Sequence, residues 1–99
     1  MIVHTVCFTL VHEPDSADEA AFLAAARATL PAIPGVRDFT VSRQVSEQSD
    51  FRFQFSMRFA DQDAYTAYDA HPAHQGFVAR RWAEEVRAFQ EFDFVPLPA

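Results

Sequence analysis

The sequence predicts an α+β domain of order βαββαβ, a four-stranded antiparallel sheet with its helices on one face. Three observations predict it. An apolar and β-branched run, "IVHTVCFTLV", opens the chain; "FRFQFSMRF" alternates with period two over residues 51–59; and two helical patterns, each preceded by an N-cap residue, separate the strand-like segments.

Residues 2–11 suit a strand buried on both faces, since almost every position is apolar or β-branched. Ile2, His4, Val6, Phe8 and Leu10 share one face; Val3, Thr5, Cys7, Thr9 and Val11 share the other. "SADE" at 16–19 is a capping-box pattern, with Ser16 accepting from a backbone N–H and Glu19 reaching back. The helix it starts turns Phe22, Leu23, Ala26 and Leu30 inward, and Pro31 stops it because the residue before proline avoids the α region. "IPG" at 33–35 fits a turn in which Gly35 takes a positive φ.

The second strand is read over 36–45, with Phe39, Val41 and Val45 alternating against polar neighbours, and "SEQSD" connects it to the third at 51–59. Five large side chains on one face of that third strand, Phe51, Phe53, Phe55, Met57 and Phe59, demand a helical cover. Asp61 caps a short helix carrying Ala64, Tyr65 and Tyr68, which must end or kink at His71 because Pro72 follows. Pro72 suits the first turn of a new helix running through Phe77, Val78, Trp82 and Val86. The last strand is placed at 89–95, "FQEFDFV".

This order is the split βαβ, ferredoxin-like pattern, filling residues 1–99 as a single domain without repeat or linker. Its helices cover one sheet face only. The other face, which carries Val3, Cys7 and Val11, is best completed by a second copy packing sheet to sheet, so a homodimer is expected. A chain of 99 residues buries only roughly 65% of its unfolded surface alone, which favours the same conclusion.

Fourteen acidic residues against eight arginines give a net charge of −6 and no basic stripe, which argues against nucleic acid or an anionic membrane as partner. The single Cys7 cannot close an intrachain disulfide, the N-terminus lacks the features of a signal peptide, and no apolar run is long enough to span a bilayer. A soluble, cytoplasmic protein is expected.

With His4 on the first strand, "AIPGVRDF" after the first helix, "FADQDAYTAYDAHPAHQGF" after the third strand and "FDFV" near the end, nearly the whole chain resembles the stress-responsive A/B barrel domain family. The His-Pro-Ala-His segment with its preceding Tyr is the most specific part. The resemblance implies a dimeric α+β barrel. It also implies possible chemistries, because a plant polyketide cyclase of this family closes a linear thioester by intramolecular aldol condensation without metal or cofactor. The working residues of that enzyme match His4, Tyr68 and His74 here, and its pocket-lining first helix matches Phe22 and Leu23, although a pocket phenol there is replaced by Ala26.

The chemistry of these side chains can be stated independently of the resemblance. His74, in the first turn after Pro72, faces the positive end of the helix dipole, which keeps its ring neutral and able to act as a base. Abstracting a proton α to a carbonyl needs such a base and a donor for the developing enolate, and the Tyr68 phenol can be that donor or can orient the base. His4 points to the helices, either as a hydrogen-bond partner of that pair or as a buried histidine satisfied by a backbone carbonyl. His71 is a further candidate for the ligand cavity, or a side chain that meets free carbonyls at a helix end. A metal pair with His74 lacks a third ligand, so no metal or cofactor is expected. Asp93 is either an inward carboxylate or a strand-end hydrogen-bonding group, His12 faces solvent, and Tyr65 and Trp82 pack the core or an interface.

Three functions follow. The first is a cofactor-free cyclase or lyase acting on a small hydrophobic or polyketide-like ligand through His74, Tyr68 and His4. The second is a non-enzymatic stress-responsive dimer with structural histidines. The third is a cofactor-free monooxygenase, as some other dimeric α+β barrels are.

Overall fold

Ile2–Leu10 forms strand β1, the hub of the sheet in the computed structural model, which describes residues 1–99. Helix α1 is Ala17–Thr29, strand β2 Arg37–Arg43, strand β3 Phe53–Phe59, helix α2 Gln62–Ala70 and helix α3 Pro72–Phe77. A π-helical turn over Val78–Trp82 and a last helical turn at Ala83–Glu85 lead into strand β4, Val86–Phe94. The sheet is antiparallel throughout, in the order β2-β3-β1-β4, as the βαββαβ reading requires.

The expected stripes meet on the helical face. Phe8, Phe22, Phe55, Met57 and Phe59 are fully buried. Phe8 and Phe55 lie on neighbouring strands with ring centroids 4.6 Å apart, and Trp82 closes over Phe8 at 5.1 Å. Tilted contacts of this kind add to area burial, itself worth about 2–3 kcal/mol per Phe.

Caps and turns form where the sequence places them, with one shift of partner. Ser16 Oγ accepts from the Glu19 N–H at 3.2 Å, but the Glu19 carboxylate reaches one residue further back, to the Asp15 N–H at 2.9 Å. Its other partner is Arg52, whose Nε donates to Oε2 at 2.9 Å, tying α1 to the start of β3. Gly35 takes a φ of +91° in the turn after α1.

The last strand starts at Val86 and not at 89, so Val86 leaves the helix in which the sequence placed it. Val86 pairs with Leu10 while Ala88 pairs with Thr9, so Arg87 bulges out of the ladder and interrupts the two-residue period that would have marked the strand. Val45, expected to face inward on β2, lies beyond that strand and is exposed.

No helix covers the opposite sheet face. The register places Phe92 beside Thr5 and Phe94 beside Val3 on that side, where the two phenyl rings stack at 5.8 Å and remain 44% and 53% exposed. No helix of the chain is long and apolar enough to cross a membrane.

Candidate active-site cavity

A cavity of about 240 Å³ opens between the sheet and the segment from α2 to the π turn. Its body is apolar, walled by Phe55 and Met57 of β3, Phe77 of α3, and Val78 and Trp82 of the π turn. The widened turn is unusual in itself, since π-helical turns cost regular hydrogen bonding and concentrate at functional sites. At the polar end stand His4, Tyr68 and His74. The three candidate catalytic side chains therefore border one hollow, contributed by β1, α2 and α3.

Pro72 breaks the helix and aims His74. The chain leaves α2 at His71 in an extended conformation and re-enters a helix at Pro72, so His74 lands beside Tyr68 with ring centroids 4.6 Å apart. His74 Nδ1 lies 3.0 Å from the Asp69 backbone oxygen. A carbonyl only accepts, so Nδ1 carries the proton and Nε2 of the neutral ring is its acceptor. Tyr68 is 2% exposed as a residue, and no buried side-chain oxygen or nitrogen of the chain lacks a partner, so its hydroxyl, which bonds no protein group, is open to the cavity it borders. Burial first, then the Asp69 and Glu91 carboxylates, push its ionisation well above the ordinary phenol range, which keeps the O–H a donor.

His4 is held differently. Its Nδ1 donates to Asp93 Oδ1 at 2.6 Å, and the Tyr65 hydroxyl, 3.1 Å from the same nitrogen, donates to Asp93 Oδ2 at 3.0 Å. Glu91 Oε1 lies 3.7 Å from His4 Nε2. The pairing of β1 with β4 sets this cluster, because His4 and Asp93 are direct cross-strand neighbours. Asp93 lies on the helical side of β4 one residue from the strand end, half exposed and off the cavity wall, and serves as the hydrogen-bonding group for His4 and Tyr65. Tyr65, read from sequence as packing alone, also fixes that carboxylate, and burial followed by the Asp93 hydrogen bond raises its own ionisation above the usual phenol range. The signal was the antiparallel register of the two outermost segments, which neither segment shows by itself.

Other candidates lie elsewhere. Phe22 is fully buried in the core and Leu23 packs partly buried against it, and neither borders the cavity. His71 also stays off the cavity wall. Its Nδ1 accepts from the Ala73 N–H at 3.0 Å, so it caps the start of α3 and does not meet the free carbonyls at the end of α2. His12, expected in solvent, bonds Glu85 at 2.7 Å. No group of three His, Cys, Asp or Glu side chains is placed to hold a metal ion.

The stress responsive A/B barrel domain matches residues 2–96. The chain belongs to that family. A crystal structure of a family protein with a ferredoxin-like fold from Mesorhizobium loti is 52% identical, covers 98% of this chain and 97% of its own, and superposes with a TM-score of 0.97. The likeness of fold alone extends further. A dimeric ferredoxin-like protein of unknown function from Thermobifida fusca has a TM-score of 0.75 at 18% identity, covering 96% and 90% of the two chains. A hydroxynitrile lyase from Passiflora edulis has a TM-score of 0.84 at 9% identity, covering 99% and 94%. No curated protein matches the chain.

Proposed function

We propose that this family member binds a small molecule between sheet and helices and transfers protons on it without a cofactor, in aldol-type cyclase or lyase chemistry. One observation carries the reading: Tyr68, a residue 2% exposed, borders a cavity shared with His4 and His74, and its hydroxyl, which bonds no protein group, is left open to that cavity and is not a sealed, unsatisfied atom. A purely structural tyrosine at that depth would be expected to spend its O–H on the protein.

The proposed step is balanced within the site. His74 Nε2 takes a proton α to a carbonyl, and the electron pair moves to the carbonyl oxygen, which accepts from the Tyr68 O–H. Carbon–carbon bond formation follows, and the imidazolium returns its proton to the new hydroxyl oxygen. The Asp69 carboxylate, 3.8 Å from His74 Nδ1, supports the transient cation. A second assignment exchanges the two histidines. It is favoured by the His4–Asp93 bond of 2.6 Å, the arrangement in which a carboxylate orients a base and steadies its charged form. The solved lyase lends the reading only its fold.

Thermal shift with a library of small carbonyl compounds tests it. A ligand at ten times its Kd adds about 1.4 kcal/mol, or several degrees for a domain of this size. The expected result is a set of compounds that raise the Tm of the parent and raise that of Tyr68→Phe and His74→Ala much less. If no compound distinguishes the parent from these variants and both variants lose stability as core substitutions do, the histidines and tyrosine are structural.

We also infer a homodimer through the uncovered sheet face. Support comes from the exposed, stacked Phe92 and Phe94 and from the dimeric neighbour of the same fold. Light scattering is expected to give twice the chain mass for the parent and a single chain mass for Phe92→Asp. A Phe92→Asp protein that stays dimeric places the contact elsewhere.

A further inference from the structure

The charge at the cavity's polar end narrows the kind of molecule it can hold. Two carboxylates border the opening: Asp69, with its side chain 70% exposed, and Glu91, 51% exposed. Deeper in lie His74 and His4, with side chains 18% and 7% exposed. No arginine borders the cavity, and the chain contains no lysine. An anionic ligand would therefore need a protonated histidine as its counter-charge, and each histidine is already committed. Any positive charge on His4 is met by Asp93 at 2.6 Å and Glu91 at 3.7 Å; on His74, by the Asp69 carbonyl at 3.0 Å and its carboxylate at 3.8 Å. The carboxylates that discourage ionisation of Tyr68 would act equally on a negative group brought to its hydroxyl.

The remaining wall asks for an apolar body. Phe55, Met57, Phe77, Trp82 and Phe89 offer rings and a thioether but no hydrogen-bonding group facing a second polar substituent apart from the indole N–H. About 240 Å³ equals the liquid volume of about eight waters, enough for a single ring with a short substituent.

We propose that the cavity selects uncharged carbonyl or hydroxyl compounds with one small apolar body and rejects carboxylates and phosphates, with Glu91 setting that selection at the opening. This rests on the small-molecule reading above and adds the substrate class to it. The net charge of −6 acts in the same direction at longer range.

Acetophenone and benzoate, similar in size and differing in charge, are the probes. The intact protein is titrated with each at pH 7 and about 20 mM salt, where screening is weak, following the NMR signals of the Trp82 indole and the His74 ring. The expected result is saturable shifts with acetophenone and at least about tenfold weaker binding of benzoate. In Glu91→Gln the preference for acetophenone over benzoate falls at least about threefold, while Glu84→Gln, on the exposed last helical turn, leaves it unchanged. Equal binding of the two probes by the parent overturns the charge selection and leaves the small-molecule site standing. A preference unaltered in Glu91→Gln overturns the assignment to Glu91. If neither probe moves either signal up to its solubility limit, the substrate class and the small-molecule reading fall together.

Discussion

Phe55→Ala is expected to lower stability by about 3–5 kcal/mol, a large part of the total for a domain of this size. Phe55 is 1% exposed, and its ring lies 4.6 Å from Phe8, 5.5 Å from Phe39 and 6.3 Å from both Phe22 and Trp82. Those neighbours come from β1, β2, α1 and the π turn, so removing the ring unpacks every layer at once. They cannot close the gap without leaving their own contacts, which is why the cost exceeds that of transfer alone. Urea unfolding at fixed protein concentration should show a lower midpoint with the slope unchanged, whereas Val45→Ala, 82% exposed, should fall within about 0.5 kcal/mol of the parent. A Phe55→Ala loss below about 1.5 kcal/mol would mean that the neighbours collapse freely into the space.

Arg52→Ala is expected to cost about 2–3 kcal/mol at neutral pH, below the usual range for a fully buried pair because the arginine side chain is 27% exposed. The damage falls on Glu19, 5% exposed, which would keep the Asp15 N–H but lose the two guanidinium contacts. Burial by itself raises the Glu19 carboxyl; Arg52, with the Asp15 N–H, outweighs it and holds the group below its ordinary value. A carboxylate with a depressed folded-state value contributes stability above its unfolded value, and that contribution disappears as pH falls through the folded one. The gap between parent and Arg52→Ala should therefore be wide at pH 7 and should narrow as the pH falls below the ordinary carboxylate range and through the depressed folded-state value of Glu19. A gap independent of pH would assign Arg52's contribution to packing over Phe53, whose ring centroid lies 5.1 Å from the guanidinium carbon.

Local signals carried the fold. The period of "FRFQFSMRF", the Ser16 and Asp61 caps and the stop at Pro72 each depend on neighbours a few residues away and take the expected form, except that the third strand starts at Phe53 and leaves Phe51 half-buried outside it. Where a second element decides the outcome, the sequence reading shifts. The start of β4 was hidden because the Arg87 bulge exists only against β1. His71 keeps a structural place at the helix end but takes a different partner, accepting from the Ala73 N–H that opens α3 where a contact with the carbonyls closing α2 was expected. That His4, Tyr68 and His74 could border one cavity was legible from the family resemblance that named them, together with the strand face on which alternation places His4. The Tyr65–Asp93 support of His4 was not, because it depends on a register spanning almost the full chain.

The position of β1 between β3 and β4 also bears on how the molecule comes together. Its partnership with β4 joins residues as far apart as Val3 and Phe94, so the loop-closure cost is settled only when nearly all of the chain is in place. The β2–β3 hairpin and the helices can organise earlier from short-range contacts. Acquisition of the His4–Asp93 bond is then a late event in folding, and a nascent chain emerging from a ribosome would carry its imidazole long before the carboxylate that steadies it.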